Sequence, residues 1–85
     1  MTVNVFLERT FRAPLTPEDV LEGGRESAWC FDLHRVSWRG SFLSCDGRAM
    51  VCRFSAPDLE SARLALRDPD VDLSRLWSGT AHEAR

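Results

Sequence analysis

A chain of 85 residues with net charge −2 has room for one domain, and a core that small supplies only a few kcal/mol of net stability. Its 44% hydrophobic and 28% charged residues exclude a disordered tail, and nothing in it approaches the roughly 20 apolar residues of a membrane span. The 11 basic side chains are scattered among 13 acids, so the basic footprint that nucleic acid requires is missing.

Residues Val3 to Thr10 alternate Val3, Val5 and Leu7 on one face with Asn4, Phe6 and Glu8 on the other. The period of two predicts a strand with both faces at least partly covered. Glu8 and Arg9 also interrupt the apolar run, so a secretory signal is not expected. Ala13-Pro14 ends the strand, and Thr16-Pro17-Glu18-Asp19 announces a helix. Thr16 is its N-cap, Pro17 takes the first helical position, and the acids complement the dipole. The helix runs to about Leu33, with Val20, Gly24, Ser27 or Ala28, and Phe31 on one face. Gly23-Gly24 weakens it by about 1 kcal/mol per glycine relative to alanine.

The stretch His34 to Ala56 carries two runs of β-branched and aromatic residues flanking Asp46-Gly47. That dipeptide suits a type I′ hairpin turn, whose two central residues need positive φ. Trp38, Ser41, Cys52 and Arg53 then lie on adjacent strands. Ser55-Ala56-Pro57-Asp58 repeats the helix-start signature with Ser55 as cap, and Leu59, Ala62 and Leu66 give a narrow apolar stripe. Asp68-Pro69-Asp70 stops that helix, and a last segment, Leu73 to Ala81, with Leu76, Trp77 and Thr80, reads as a fourth strand. The order β-α-β-β-α-β makes residues 1–85 one α+β domain that closes as a ferredoxin-like antiparallel sheet with two helices on one face. Its other face carries apolar and aromatic residues that two helices cannot cover, which predicts a homodimer, an α+β barrel, joined through that face.

Glu8 is the first chemical candidate, because a carboxylate in a covered strand is either paired or shifted toward general-base duty. Arg9 or Arg53 would hold it ionised or bind an anionic substrate group, and Trp38, Phe42 and Trp77 would wall a pocket. The structural alternative is a cross-strand ion pair with the aromatics in the core. Ser41 and Cys52 are secondary polar members; Cys52 as a nucleophile would need a base, and only His34 is near in sequence. The structural reading makes Cys52 a small buried hydrophobe and His34, at a helix-to-strand junction, a solvated side chain or a partner of the helix dipole. Three cysteines, Cys30, Cys45 and Cys52, at spacings of fifteen and seven form neither a disulfide framework nor a CxxC motif, which points to reduced thiols in a cytoplasmic protein. Phosphate-binding loops, GxSxG and dinucleotide fingerprints are missing, so a nucleotide cofactor is not expected.

Five segments, FLER (Phe6 to Arg9), LTPED (Leu15 to Asp19), VSWRGSF (Val36 to Phe42), VCRF (Val51 to Phe54) and APDLESAR (Ala56 to Arg63), together resemble a small family of bacterial ferredoxin-like proteins named for nickel binding. They cover most of the chain in the right order, while the Trp-containing ending DVDLSRLWSGTAHEAR departs from the family's usual one. The resemblance implies a dimeric ferredoxin-like subunit and adds nickel, or another divalent transition metal, as a bound ion. The donors open to such an ion include His34, Glu8 and Cys52, with His82, Cys30 and Cys45 beyond them, though no pair shows a ligand spacing such as HxxxH. Three functions follow as expectations: a dimeric metal-binding protein, a cofactor-independent small-molecule enzyme of isomerase, cyclase or monooxygenase type using Glu8, and a non-catalytic partner of a larger enzyme.

Overall fold

The structure, a computed structural model, describes residues 2–67, 71–82 and 84, and within the first helix it leaves aside the side chains of residues 24 and 26–30. The elements run β1 (Val3–Thr10), α1 (Pro17–Leu33), β2 (Ser37–Leu43), β3 (Ala49–Ala56), α2 (Leu59–Ala65) and β4 (Leu76–Gly79). The strands form one sheet in the order β2-β3-β1-β4, and every neighbouring pair is antiparallel. This is an α+β fold compatible with the ferredoxin-like arrangement. Among the described residues no helix is long and apolar enough to cross a membrane.

Alternation decides which side of the sheet is core. Val5 and Leu7 of β1 stand level with Phe54 and Cys52 of β3, and all four are buried. Met50, Ala56 and Leu76 join them from the sheet, Phe31 from α1, and Ala62 and Ala65 from α2, so both helices draw against one face. Phe31 meets Phe54 edge to face at 5.6 Å, a geometry the ring quadrupoles favour.

The start of α1 is a reciprocal cap. The Asp19 N–H donates to Thr16 Oγ1 at 3.2 Å, and the Thr16 N–H donates to the Asp19 carboxylate at 2.8 Å. Its end is a Schellman motif: the Val36 N–H reaches the Phe31 carbonyl at 2.8 Å and the Arg35 N–H reaches the Asp32 carbonyl at 3.2 Å. The motif needs a left-handed residue after the cap, and Arg35 fills that place at φ 59, where glycine is usual.

Several sequence expectations are corrected. The hairpin forms at Asp46-Gly47 with Gly47 at φ 74, but Asp46 keeps negative φ, so the turn is not type I′. The loop is longer: the Gly47 N–H donates to the Ser44 carbonyl, and the Asp46 carboxylate accepts from the Ser44 hydroxyl and the Arg48 N–H. The two bonds to the carboxylate, the one from Ser44 first, hold that carboxyl below its ordinary range. The second helix is capped by Asp58, which accepts from the Ser61 N–H at 2.7 Å, and not by Ser55. Ser55 is still in β3, because the strand continues to Ala56 opposite Val3. The fourth strand is shorter than Leu73 to Ala81, since residues before Leu76 turn on themselves through Ser74 N–H to Asp72 and Leu76 N–H to the Leu73 carbonyl. The Asp68-Pro69-Asp70 stop lies outside the described residues; α2 itself ends at Ala65.

Candidate functional site on the open sheet face

The strand pairings arrange the face away from the helices into rows. One row runs Phe42 (β2), Val51 (β3), Glu8 (β1), then Arg75, whose carbonyl accepts the Glu8 N–H at 3.2 Å. The next runs Gly40, Arg53, Phe6 and Trp77. Phe6 and Trp77 stack with centroids 4.4 Å apart and planes 21° from parallel. Phe42 is 83% exposed and Trp77 43%, an unusual concentration of bare aromatic surface on one face.

Glu8 is fixed by two donors. Trp77 Nε1 donates to Oε2 at 2.9 Å, and an Arg75 Nη2 donates to Oε1 at 3.3 Å, forming an ion pair. The stack on Phe6 fixes the indole that fixes the carboxylate. Beside Glu8 lies an open depression of about 590 Å³, walled by Phe42 and Val51 on the apolar side and by Arg9, Thr10, Asp72 and Arg75 on the polar side. A carboxylate held at the rim of such a hollow can anchor a donor group or accept a proton from a bound molecule.

The sequence candidates divide between the two faces. Glu8, Arg53 and Trp77 share the open face, while Trp38, Ser41 and Cys52 lie on the helix side. There Trp38 Nε1 donates to Ser41 Oγ at 3.0 Å, and the Ser41 hydroxyl donates to Cys52 Sγ at 3.1 Å. Burial pushes the Cys52 thiol up, and the Ser41 bond and the Arg9 charge offset that only in part. Cys52 is therefore a buried thiol whose charged form burial disfavours, an arrangement opposed to nucleophilic duty. Arg9 places its guanidinium 5.0 Å from the Phe11 ring centre, a cation–π contact, and does not pair with Glu8. Arg53 is exposed level with Phe6.

The metal set is not brought together. Glu8 and Cys52 occupy opposite sides of the sheet, and His34 sits at the α1–β2 junction as the cap residue of α1. Among the described residues no three His, Cys, Asp or Glu side chains gather where they can hold an ion. The His34, Glu8 and Cys52 donors do not fit one nickel site. The side chain of Cys30 lies outside the described ones, and Cys45 is exposed in the hairpin.

Arg75 is the partner of Glu8 that sequence reasoning missed. It stands two residues before Trp77, so alternation along β4 would place both on the face of Glu8 once that strand's register on β1 is known. Compared with protein-family models, curated proteins and solved structures, the chain matches none of them. The likeness to nickel-binding proteins thus rests on its five short segments.

Proposed function

We propose that this protein is a homodimeric ferredoxin-like module, an α+β barrel of two sheets, that binds a small organic molecule in the Glu8 depression within a reducing, cytoplasmic setting. The observation that carries this reading is the doubly held Glu8 carboxylate, aimed beside a hollow on the face the helices leave bare. Bound there, a molecule with an apolar body rests on Phe42 and Val51 and presents an O–H, N–H or acidic C–H to Glu8. Glu8 acts as anchor or, in a cofactor-independent reaction, as the base that receives the proton.

The extent of surface supports the dimer. The chain exposes 6426 Å², whereas a compact monomer of 9.6 kDa exposes roughly 5,100 Å². The excess exceeds the roughly 800 Å² that one partner contributes to a standard interface. The aromatic residues of the open face supply the apolar part of it.

A thermal-shift screen of organic acids, phenols and amines, with nickel as a separate arm, tests the reading. Ligands that raise the melting temperature of the wild-type protein should lose that effect in Glu8→Gln, whose own melting temperature stays close to wild type. Hits that act equally on Glu8→Gln, or no hit at all, would count against it; stoichiometric nickel uptake would return the metal reading to the front.

A further inference from the structure

We propose that the two open faces meet about a two-fold axis parallel to the strands, between β1 and β3, so that β2 of each protomer lies over its partner's β4 and the two Glu8 depressions merge. This rests on the homodimer reading above and gives that dimer its geometry and its shared site. Two sheets packed face to face keep their strands within about 30° of each other, roughly 10 Å apart. An axis between the two central strands exchanges β2 with β4 and β3 with β1, and leaves every residue in its own row.

The rows then complement themselves. Gly40 comes opposite the partner subunit's Trp77, and Gly40 has nothing within 4 Å of the place its Cβ would occupy, which leaves a gap where the large ring arrives. Arg53 comes opposite the partner subunit's Phe6, and Phe42 opposite the partner subunit's Arg75, so each guanidinium on the face meets an aromatic ring. Val51 comes over the partner subunit's Glu8, whose carboxylate already holds two donors within its own protomer and is not left bare. No two like charges meet.

The competing axis runs across the strands, between these two rows. It puts Arg53 over Val51 and Glu8 over Phe6, which buries the Arg53 charge without a partner. The first arrangement is therefore favoured. It also roofs the depression, because the row containing Glu8 is covered by the same row of the partner. The binding site becomes one cavity per dimer, walled by Phe42, Val51 and Glu8 of both protomers, and incomplete in a single chain.

The arrangement is read by crosslinking in a Cys30→Ser, Cys45→Ser background, which leaves only the buried Cys52 besides the introduced thiols. Phe42→Cys and Arg75→Cys proteins are prepared separately, mixed, and treated with a bis-maleimide spanning about 10 Å, the separation of packed sheets. The mixture should yield a crosslinked dimer and neither protein alone should do so, because β2 and β4 are three strand spacings, roughly 14 Å, apart laterally. Each mixed dimer keeps one Phe42–Arg75 contact intact. Arg53→Glu, a change at an exposed residue, should weaken dimerisation at least about tenfold by sedimentation while leaving the far-UV circular dichroism unchanged.

Self-crosslinking of Phe42→Cys, or no crosslink in any combination, overturns the arrangement and leaves the homodimer to stand on its mass. A wild-type monomer by light scattering overturns both. Crosslinking as expected, with ligands that ignore Glu8→Gln, upholds the arrangement and removes the small-molecule reading instead.

Discussion

Replacing Gly47 by alanine should lower stability by about 2–3 kcal/mol. Gly47 lies at φ 74, and a Cβ there would stand 2.6 Å from the Leu15 carbonyl oxygen and 3.1 Å from both Leu15 N and Pro14 Cβ. The left-handed conformation alone costs alanine about 1–2 kcal/mol. The contact adds to it, because the neighbour is backbone and is held in place. Leu15 N–H donates to the Gly47 carbonyl at 2.9 Å, Phe11 N–H to the Arg48 carbonyl at 2.8 Å, and Arg48 Nη1 to the Arg12 carbonyl. Backing the loop away loses one or two of those bonds, at about 0.5–1.5 kcal/mol each. Stiffening of the unfolded chain returns about 0.4–1 kcal/mol. At 4–8 °C per kcal/mol for a domain of this size, the midpoint should fall by roughly 10–20 °C, measured by thermal circular dichroism and urea titration. Gly47→Asn separates the two causes. Asparagine tolerates positive φ yet keeps its Cβ, so it should remain clearly destabilised. A Gly47→Ala protein within about 0.5 kcal/mol of wild type, or full recovery with asparagine, would refute the reasoning.

Arg35→Gly should stabilise by about 0.5–1 kcal/mol, since relief of a left-handed non-glycine residue exceeds the added freedom of the unfolded chain; a urea midpoint that stays put or drops would contradict it. Cys45 should react with iodoacetamide at pH 8 within minutes while Cys52 reacts only on unfolding, because burial raises its thiol; comparable labelling of both by peptide mass spectrometry would be the adverse result. Asp58 has its carboxyl lowered by the Ser61 N–H, so its contribution is present above the ordinary carboxylate pKa and is lost as pH falls through the lowered value. Asp58→Asn, which can still cap α2, should accordingly flatten the acid limb of the stability profile below about pH 4 and change little at pH 7; an unchanged acid limb would count against that assignment.

The order of elements was readable because each is marked by local chemistry. The period of two in Val3 to Thr10 and the Thr16-Pro17-Glu18-Asp19 cap act through near neighbours, and both appear in the structure as expected. What stayed hidden needed long-range register. Trp38 and Gly40 have the same parity, yet a bulge at Arg39 sends Trp38 level with Phe54 on the helix side and Gly40 level with Arg53 on the open side. That one extra residue moves Trp38 off the face of Glu8, Arg53 and Trp77 and onto the side that Ser41 and Cys52 already occupy by simple alternation. That Asp58 and not Ser55 caps α2 follows only once Ala56 is known to be buried in strand pairing against Val3. Arg75 precedes a strand just four residues long, and nothing around it announces a partner in β1.

The same bulge bears on how far association can go. In the sheet order, β2 and β4 are the outermost strands, and each presents unpaired backbone donors and acceptors along its outer side. β4 offers only four residues to an incoming strand, and β2 is broken at Arg39, where a charged side chain and added twist disrupt any continuous ladder. Neither outline is a good template for another chain. Sticky surface is thereby confined to the flat of the sheet, and in the two-fold arrangement proposed above contacts there close on themselves, so crowding should yield discrete particles in place of fibres.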